Sequence, residues 1–327
     1  MEHPMGLLEE VRGFMKSRII LTGVELDLFT QVQRGVDTAE GLAKQNGLDL
    51  RALRRLMDAV VTYGLLDKQG GRYALTPEAA FLSADHPEST LPMMLHMNEL
   101  WNNWSGLTAV VTTGKNLQPV SVSKKTEKNR KAFIGAMHVV GRHLSREIAG
   151  ALDLSPYRKM VDIGGSSGTY TIAFLQRNPA MKAVIFDLEP VIPLAEERIR
   201  SAGMLDRVEL AAGNYYTDPL PEGCDLALLS AIIHQNSPDQ NRELYGKIHA
   251  ALVPGGTLMI RDHIMDENRT VPPGGAVFAL NMLVGTQGGD TYTFREISGD
   301  LEAAGFSDVR QIRSGEKMDG IVTARKP

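Results

Sequence analysis

The chain has 327 residues, 43% of them apolar and 23% charged, too long for one hydrophobic core and suited to two domains, since single cores stop growing near about 250–300 residues. Lys and Arg number 35 against 39 Asp and Glu, a formal net charge of −4, which argues against a protein that lives on nucleic acid or anionic lipid. The single cysteine, Cys224, excludes an internal disulfide and a cysteine-built metal cluster.

The first residues, Met1-Glu2-His3-Pro4 with Glu9 and Glu10 behind them, lack the basic flank and apolar stretch of a signal peptide. No run nears the roughly 18 apolar residues of a membrane helix, so a cytoplasmic enzyme or regulator is expected. Residues 17–29 place Ile19, Ile20, Val24, Leu26 and Phe29 on one side of a helix. Asp37-Thr38-Ala39-Glu40 offers caps for a short helix, and Arg51–Tyr63 reads as a longer one with Leu53, Leu56, Ala59, Val60 and Tyr63 on one face. Gly70-Gly71, between Leu65–Lys68 and Arg72–Leu75, is a two-residue hairpin signal. Helix, helix and hairpin give a winged helix. Residues 37–85 carry six basic and seven acidic side chains, so this wing has no electrostatic footprint for phosphates and is expected to serve packing or dimerisation.

Residues 88–113 are rich in Met and hold both tryptophans, Trp101 and Trp104, a composition for core, subunit interface or the wall of an apolar pocket. Ser121–Lys131 is polar and reads as a connection, leading into a linking helix over about 130–152. The domains are therefore expected at 1–115 and 116–327. From Lys159 onward, short apolar runs at 160–163, 182–186, 208–212, 225–229 and 257–260 alternate with helix-sized intervals. That alternation predicts an α/β, Rossmann-like, doubly wound parallel sheet, closed by a hairpin pair at 310–312 and 320–323.

The strongest chemical signal is Val161-Asp162-Ile163-Gly164-Gly165-Ser166-Ser167-Gly168 at the first strand-to-helix turn. Glycines let a ligand approach the backbone, and the next helix presents unpaired N–H groups. A dinucleotide fingerprint would need glycine at Ser166, and no phosphate-loop lysine is present. The pattern of Asp162, Gly164, Gly165 and Gly168 fits a ligand with an amino-acid end better than a pyrophosphate. Asp187 lies 187 − 168 = 19 residues past the last loop glycine, at the end of the second strand, where an acid takes ribose hydroxyls; the alternative is that it caps the next helix. Leu188 beside it, Asn214 and Tyr215 after the third strand, and Ser230 at the end of the fourth complete the expected nucleoside site, with Asn214 on the base edge and Tyr215 on its face.

With Phe186-Asp187-Leu188-Glu189-Pro190, Tyr63-Gly64-Leu65-Leu66, Trp104 before Thr113-Gly114, and Pro254-Gly255-Gly256, nearly the whole chain resembles the S-adenosylmethionine-dependent O-methyltransferases of plant caffeate type and their bacterial secondary-metabolite relatives. The resemblance implies a homodimer joined through the N-terminal domains, S-adenosyl-L-methionine held at the sheet's carboxyl edge, and a small aromatic hydroxyl acceptor.

His234 follows the fourth strand, ahead of a capping box at Ser237-Pro238-Asp239-Gln240. It is the histidine expected to act as general base, because an imidazole with pKa near 6.5 can take a phenolic proton. His138, on the linking helix, could face the same pocket. In the resembling family Asp-Trp follows this histidine and two glutamates flank it. Here Gln235-Asn236 replace Asp-Trp, the first glutamate position falls on Asp262, and the second on Thr291 beside Asp290. Either Asp262 or Asp290 is expected to orient the imidazole. The resemblance also puts Met282 and Thr286 near the acceptor, with Phe133 and Met137 opposite. No metal-ligand spacing appears, and no metal is expected. Carbon or nitrogen transfer, a ligand-sensing winged-helix regulator and a nicotinamide-dependent oxidoreductase are the alternatives these residues leave open.

Overall fold

The computed structural model describes residues 5–115 and 126–327; of the connection expected at Ser121–Lys131, positions 121–125 lie outside them. The chain forms two compact units that divide between Trp101 and Asn102. Among the described residues no helix is long and apolar enough to cross a membrane.

The first unit opens with helices Met5–Glu25 and Leu28–Gln33. The continuous helix expected over 17–29 is broken at Asp27, whose φ of 54° lies in the left-handed region that ends a right-handed helix. Helices Ala39–Asn46 and Leu50–Thr62 follow, capped by the side chains of Thr38 and Asp49, which accept from the N–H groups of Gly41 and Ala52. Strands β1 (Leu66–Gln69) and β2 (Arg72–Leu75) form the wing, with Gln69 opposite Arg72 across Gly70-Gly71. Both turn glycines have positive φ, as a tight hairpin of matching twist requires. Val24, Phe29, Leu42, Leu53, Met57, Val60, Leu66 and Tyr73 make this unit's core. Tyr63, expected on the buried face, is 37% exposed because the helix stops at Thr62.

The second unit is built on β3 (Lys159–Ile163), β4 (Lys182–Asp187), β5 (Val208–Ala212), β6 (Cys224–Ser230), β7 (Leu252–Asp262), a short parallel pair β8 (Ile264–Met265) and β9 (Tyr292–Thr293), β10 (Ser307–Arg313) and β11 (Gly320–Arg325). The main sheet runs β10-β11-β7-β6-β3-β4-β5. β3 to β7 are parallel, and β11 is antiparallel to both its neighbours.

The apolar runs are continuous because both faces are covered, yet a two-residue period is hidden inside them. Val161, Ile163, Ala227, Leu229 and Ile260 join the core under helices Pro238–Ala251 and Phe294–Ala303. Met160, Leu226, Leu228 and Met259 join the other, under Thr169–Arg177, Ile192–Ser201 and the long helix Glu127–Ala151. Successive strand residues point to opposite faces, so each strand feeds both cores.

The chain runs outward from β3 through β4 to β5, then crosses back to β6 on the other side of β3. Strand order therefore reverses beside β3, and the carboxyl ends of β3 and β6 border the crevice where ligands gather in open α/β sheets. Phe174, fully buried on the helix that follows the glycine turn, anchors one side of this edge. Replacing Phe174 by Ala is expected to lower stability by about 3–5 kcal/mol in urea denaturation; a loss below about 1 kcal/mol would show that the helix is anchored elsewhere.

Candidate active site

The turn from β3 into helix Thr169–Arg177 is left-handed at Gly164, Ser166 and Gly168, with φ of 68°, 53° and 72°. A Cβ on Gly164 would sit 2.5 Å from Ile232 Cδ1, and one on Gly168 2.9 Å from Ile185 Cδ1, so both backbone angle and space demand glycine there. Asp187 does not cap the helix after it. Its two carboxylate oxygens accept from the N–H groups of Ser166 and Leu188, each at 2.7 Å, tying the end of β4 to the glycine turn. Burial pushes this carboxyl upward against the pull of those two bonds.

Asp162 is 2% exposed and accepts a 2.6 Å hydrogen bond from the Thr171 hydroxyl. Burial pushes its carboxyl up to about 6. Two polar atoms of the same turn, Ser166 Oγ and the Tyr170 hydroxyl, are buried without a protein partner, a costly state unless a ligand answers them. His138 Nδ1 lies 3.0 Å from Thr169 Oγ1 at the start of the helix. Its burial, and then Arg198, Arg142 and Arg146 nearby, hold the ring down at about 4, so it is uncharged at neutral pH.

After β5, Asn214 closes an Asx turn: its Oδ1 accepts from the Tyr216 N–H at 3.0 Å. Its side-chain carbonyl is thus taken by its own loop. Tyr215 is half-buried near Gly164, and its hydroxyl accepts from Gln235 Nε2 at 3.0 Å. Lys247 Nζ donates to the Tyr215 carbonyl at 2.6 Å. Ser230 Oγ accepts from Arg261 Nε at 2.7 Å.

His234 lies on the short 3₁₀ turn Ile233–Gln235 beyond β6 and is 8% exposed. Its Nδ1 is 2.9 Å from each carboxylate oxygen of Asp262, which ends β7 and is 1% exposed. Burial alone would raise the Asp262 carboxyl, but the facing imidazole, Arg261 and the His263 N–H together hold it below the usual carboxylate range. Asp290 takes no part in orienting the ring. Its backbone N–H donates to the His234 carbonyl at 2.9 Å, while its carboxylate accepts from Arg269 and from the Thr291 N–H. Thr291 is buried with its hydroxyl toward the Gly275 carbonyl at 3.4 Å.

The expected capping box at Ser237 and Gln240 forms, with Pro238 at the helix start. Asn236, fully buried, fastens the turn: Nδ2 donates to Asn241 Oδ1 at 2.9 Å, Oδ1 accepts from the Tyr216 hydroxyl, and the carbonyl accepts from the Tyr292 hydroxyl. Asn241 in turn donates to the Ile233 carbonyl at 3.0 Å.

The residues expected around an acceptor fall on two helices. On Pro273–Gly285, Phe278 meets the His234 ring edge-on, with centroids 4.8 Å apart, and Met282 is buried one turn further on. Thr286, just past that helix, donates to the Met282 carbonyl and accepts from the Gly289 N–H, both at 2.8 Å. Phe133 and Met137 are half-buried on Glu127–Ala151, Met137 adjoining His138. Phe278 opens the segment 278–286 expected to form the pocket's other wall, whereas Tyr170, Arg261 and Asn236 belong to this neighbourhood without having been given a role in it from sequence. Only Arg261, a cation interrupting an apolar strand, carried a readable signal. Among the described residues no group of three His, Cys, Asp or Glu could hold a metal ion.

Residues 99–307 match an O-methyltransferase domain and residues 8–85 an O-methyltransferase dimerisation domain. The 3-hydroxy-5-methyl-1-naphthoate 3-O-methyltransferase of Streptomyces sahachiroi is 31% identical over 99% of this chain and 95% of its own length. The tetracenomycin polyketide synthesis 8-O-methyl transferase TcmO of Streptomyces glaucescens is also 31% identical, over 99% of this chain and 97% of its own. The solved structure of the mitomycin 7-O-methyltransferase MmcR superposes with a TM-score of 0.86 at 26% identity, covering 99% of this chain and 97% of that one.

The carboxyl of Asp162 gives a test independent of any ligand. Its folded value, about 6, stands above the ordinary 3.8, so the charged form is disfavoured in the fold. Stability is then lost as pH rises from about 4 through about 6, and the cost persists above. Asp162→Asn is expected to stabilise the ligand-free protein by about 1–3 kcal/mol at pH 7.5 and by nothing measurable at pH 4. Equal effects at the two pH values in urea denaturation would contradict this assignment.

Proposed function

Because this chain belongs to the S-adenosylmethionine-dependent O-methyltransferase family, we propose that the glycine turn after β3 holds the methyl donor and that His234 is the general base for an aromatic hydroxyl acceptor. The donor, when bound, supplies an electrophilic methyl group on a sulfonium. The residues fit it. Gly164, Gly165 and Gly168 with Asp162 form the cradle for its amino-acid end, where the Ser166 and Tyr170 hydroxyls still lack a protein partner. Asp187, whose oxygens each keep acceptor capacity beyond the Ser166 and Leu188 N–H bonds, receives the ribose hydroxyls beside Leu188. The Asn214 amide and the Tyr215 ring receive the adenine, and Ser230 closes the site.

The observation that carries the catalytic reading is the buried His234–Asp262 pair. Asp262 accepts a hydrogen bond from Nδ1–H and fixes that tautomer, which leaves the Nε2 lone pair to take a hydroxyl proton. A phenol has a pKa near 10, so the proton must be removed as the oxygen attacks, and an oriented imidazole does this without water. Phe278 against the imidazole, Met282 and Thr286 beyond it, and Phe133, Met137 and His138 on the second helix form an apolar, polarisable wall suited to a flat acceptor. Enzymes similar to this chain act, by their names, on a hydroxynaphthoate and on a tetracenomycin polyketide, which supports a fused aromatic acceptor here. The dimerisation-domain match over residues 8–85 supports a homodimer joined through the N-terminal unit.

His234→Ala is expected to lower kcat by about 10²–10⁴-fold while the Kd for S-adenosylhomocysteine changes less than about 3-fold. Asp262→Asn should lower kcat by at least about 10-fold, because an amide can present its N–H to Nδ1 and favour the wrong tautomer. Turnover of a hydroxynaphthoate at the wild-type rate by His234→Ala would remove His234 from this role.

A further inference from the structure

Arg261 is a buried cation with an unfilled fork. It is 6% exposed on β7, paired in register with Ser230 of β6. Its Nε donates to Ser230 Oγ and its Nη1 to the Met318 carbonyl, both at 2.7 Å, and the guanidinium lies 4.8 Å above the Tyr170 ring. A guanidinium has five N–H donors, and among the described residues no carboxylate lies within ion-pair distance of this one. The acids around it are otherwise engaged: Asp162 with Thr171, Asp262 with His234, and Asp319 with Arg313.

Arg207 shows what a structural arginine does in this fold. Its fork is spread over the carbonyls of Leu175, Asn178 and Met181. Among the described residues Nη2 of Arg261 has no such acceptor, and the guanidinium lies over the ring of Tyr170, whose hydroxyl is itself buried and unpartnered. Burying an arginine costs free energy unless an anion or a full set of acceptors compensates it. Tyr170 lies on the helix that the glycine turn opens.

We propose that Arg261, with the Tyr170 hydroxyl beside it, is the receptor for the α-carboxylate of the methyl donor. This rests on the donor-site reading above. The carboxylate is the one anionic group of that ligand, and its planar pair of oxygens matches a guanidinium fork. The receptor comes from the strand on the far side of β6, reaching the site past Ser230, whose hydroxyl holds Nε and aims the fork. Asp162, buried under the turn, is left for the ammonium group.

The test is a cycle between one side chain and one ligand group, read by calorimetry without turnover. S-adenosylhomocysteine and its decarboxylated analogue are titrated into wild type, Arg261→Gln and Arg261→Lys. Wild type is expected to bind the carboxylated ligand about 10–100-fold more tightly than the analogue. Arg261→Gln should lose most of that preference, with analogue affinity unchanged within about 3-fold. Arg261→Lys, which keeps the charge and the stem, should retain part of it.

If Arg261→Gln does not fold, Tyr170→Phe measured with the same two ligands decides, and is expected to weaken only the carboxylated one, by about 3–10-fold. Equal weakening of both ligands, or no preference in wild type, overturns the assignment of Arg261 while leaving the donor site standing. Wild type that binds neither ligand overturns the donor site itself, and this inference with it.

Discussion

The backbone pairing of β6 with β7 is the constraint on which the site depends. It sets Ser230 opposite Arg261, and the next residue on each strand then falls at the sheet's carboxyl edge. Side chains alternate across a strand, so Arg261 and Asp262 diverge although they are neighbours in sequence. Arg261 turns to the face that carries Tyr170 and the helix after the glycine turn. Asp262 turns to the other face and meets His234. One strand end thus serves two chemical positions, and a slip of one residue in register would exchange them.

Several polar groups of this edge are tied to one another by hydrogen bonds between elements. Asp187 joins β4 to the glycine turn, the Tyr216–Asn236–Asn241 chain joins the β5 loop to the His234 turn, and Tyr292 closes on the Asn236 carbonyl. Such a network fixes geometry in advance of ligand binding, and pre-organised groups act most strongly where water is excluded. It also carries a stability cost, visible in the raised carboxyl of Asp162. The fold tolerates that cost because two apolar cores flank the sheet.

The indole that follows the general-base motif in the resembling enzymes is replaced here by Asn236. A small amide in that place is accommodated by hydrogen bonding instead of by volume: Tyr216, Asn241 and Tyr292 converge on it. In this chain those three contacts fasten the turn that carries His234.

Strand spacing, the glycine turn, the acid 19 residues beyond it and the histidine after the fourth strand were all legible in the sequence, because each is set by local backbone demands: positive φ, strand length, helix capping. The hairpin at Gly70-Gly71 and the capping box at Ser237 were legible for the same reason. The break at Asp27 and the exposure of Tyr63 were not, since both depend on where a helix stops against its neighbours. The choice of Asp262 over Asp290, the commitment of the Asn214 carbonyl to its own loop, and the unfilled fork of Arg261 were decided only by the tertiary structure. Each depends on which side chains the strand register brings within about 3 Å, the reach of a hydrogen bond, and residues far apart in the chain carry no local trace of that distance.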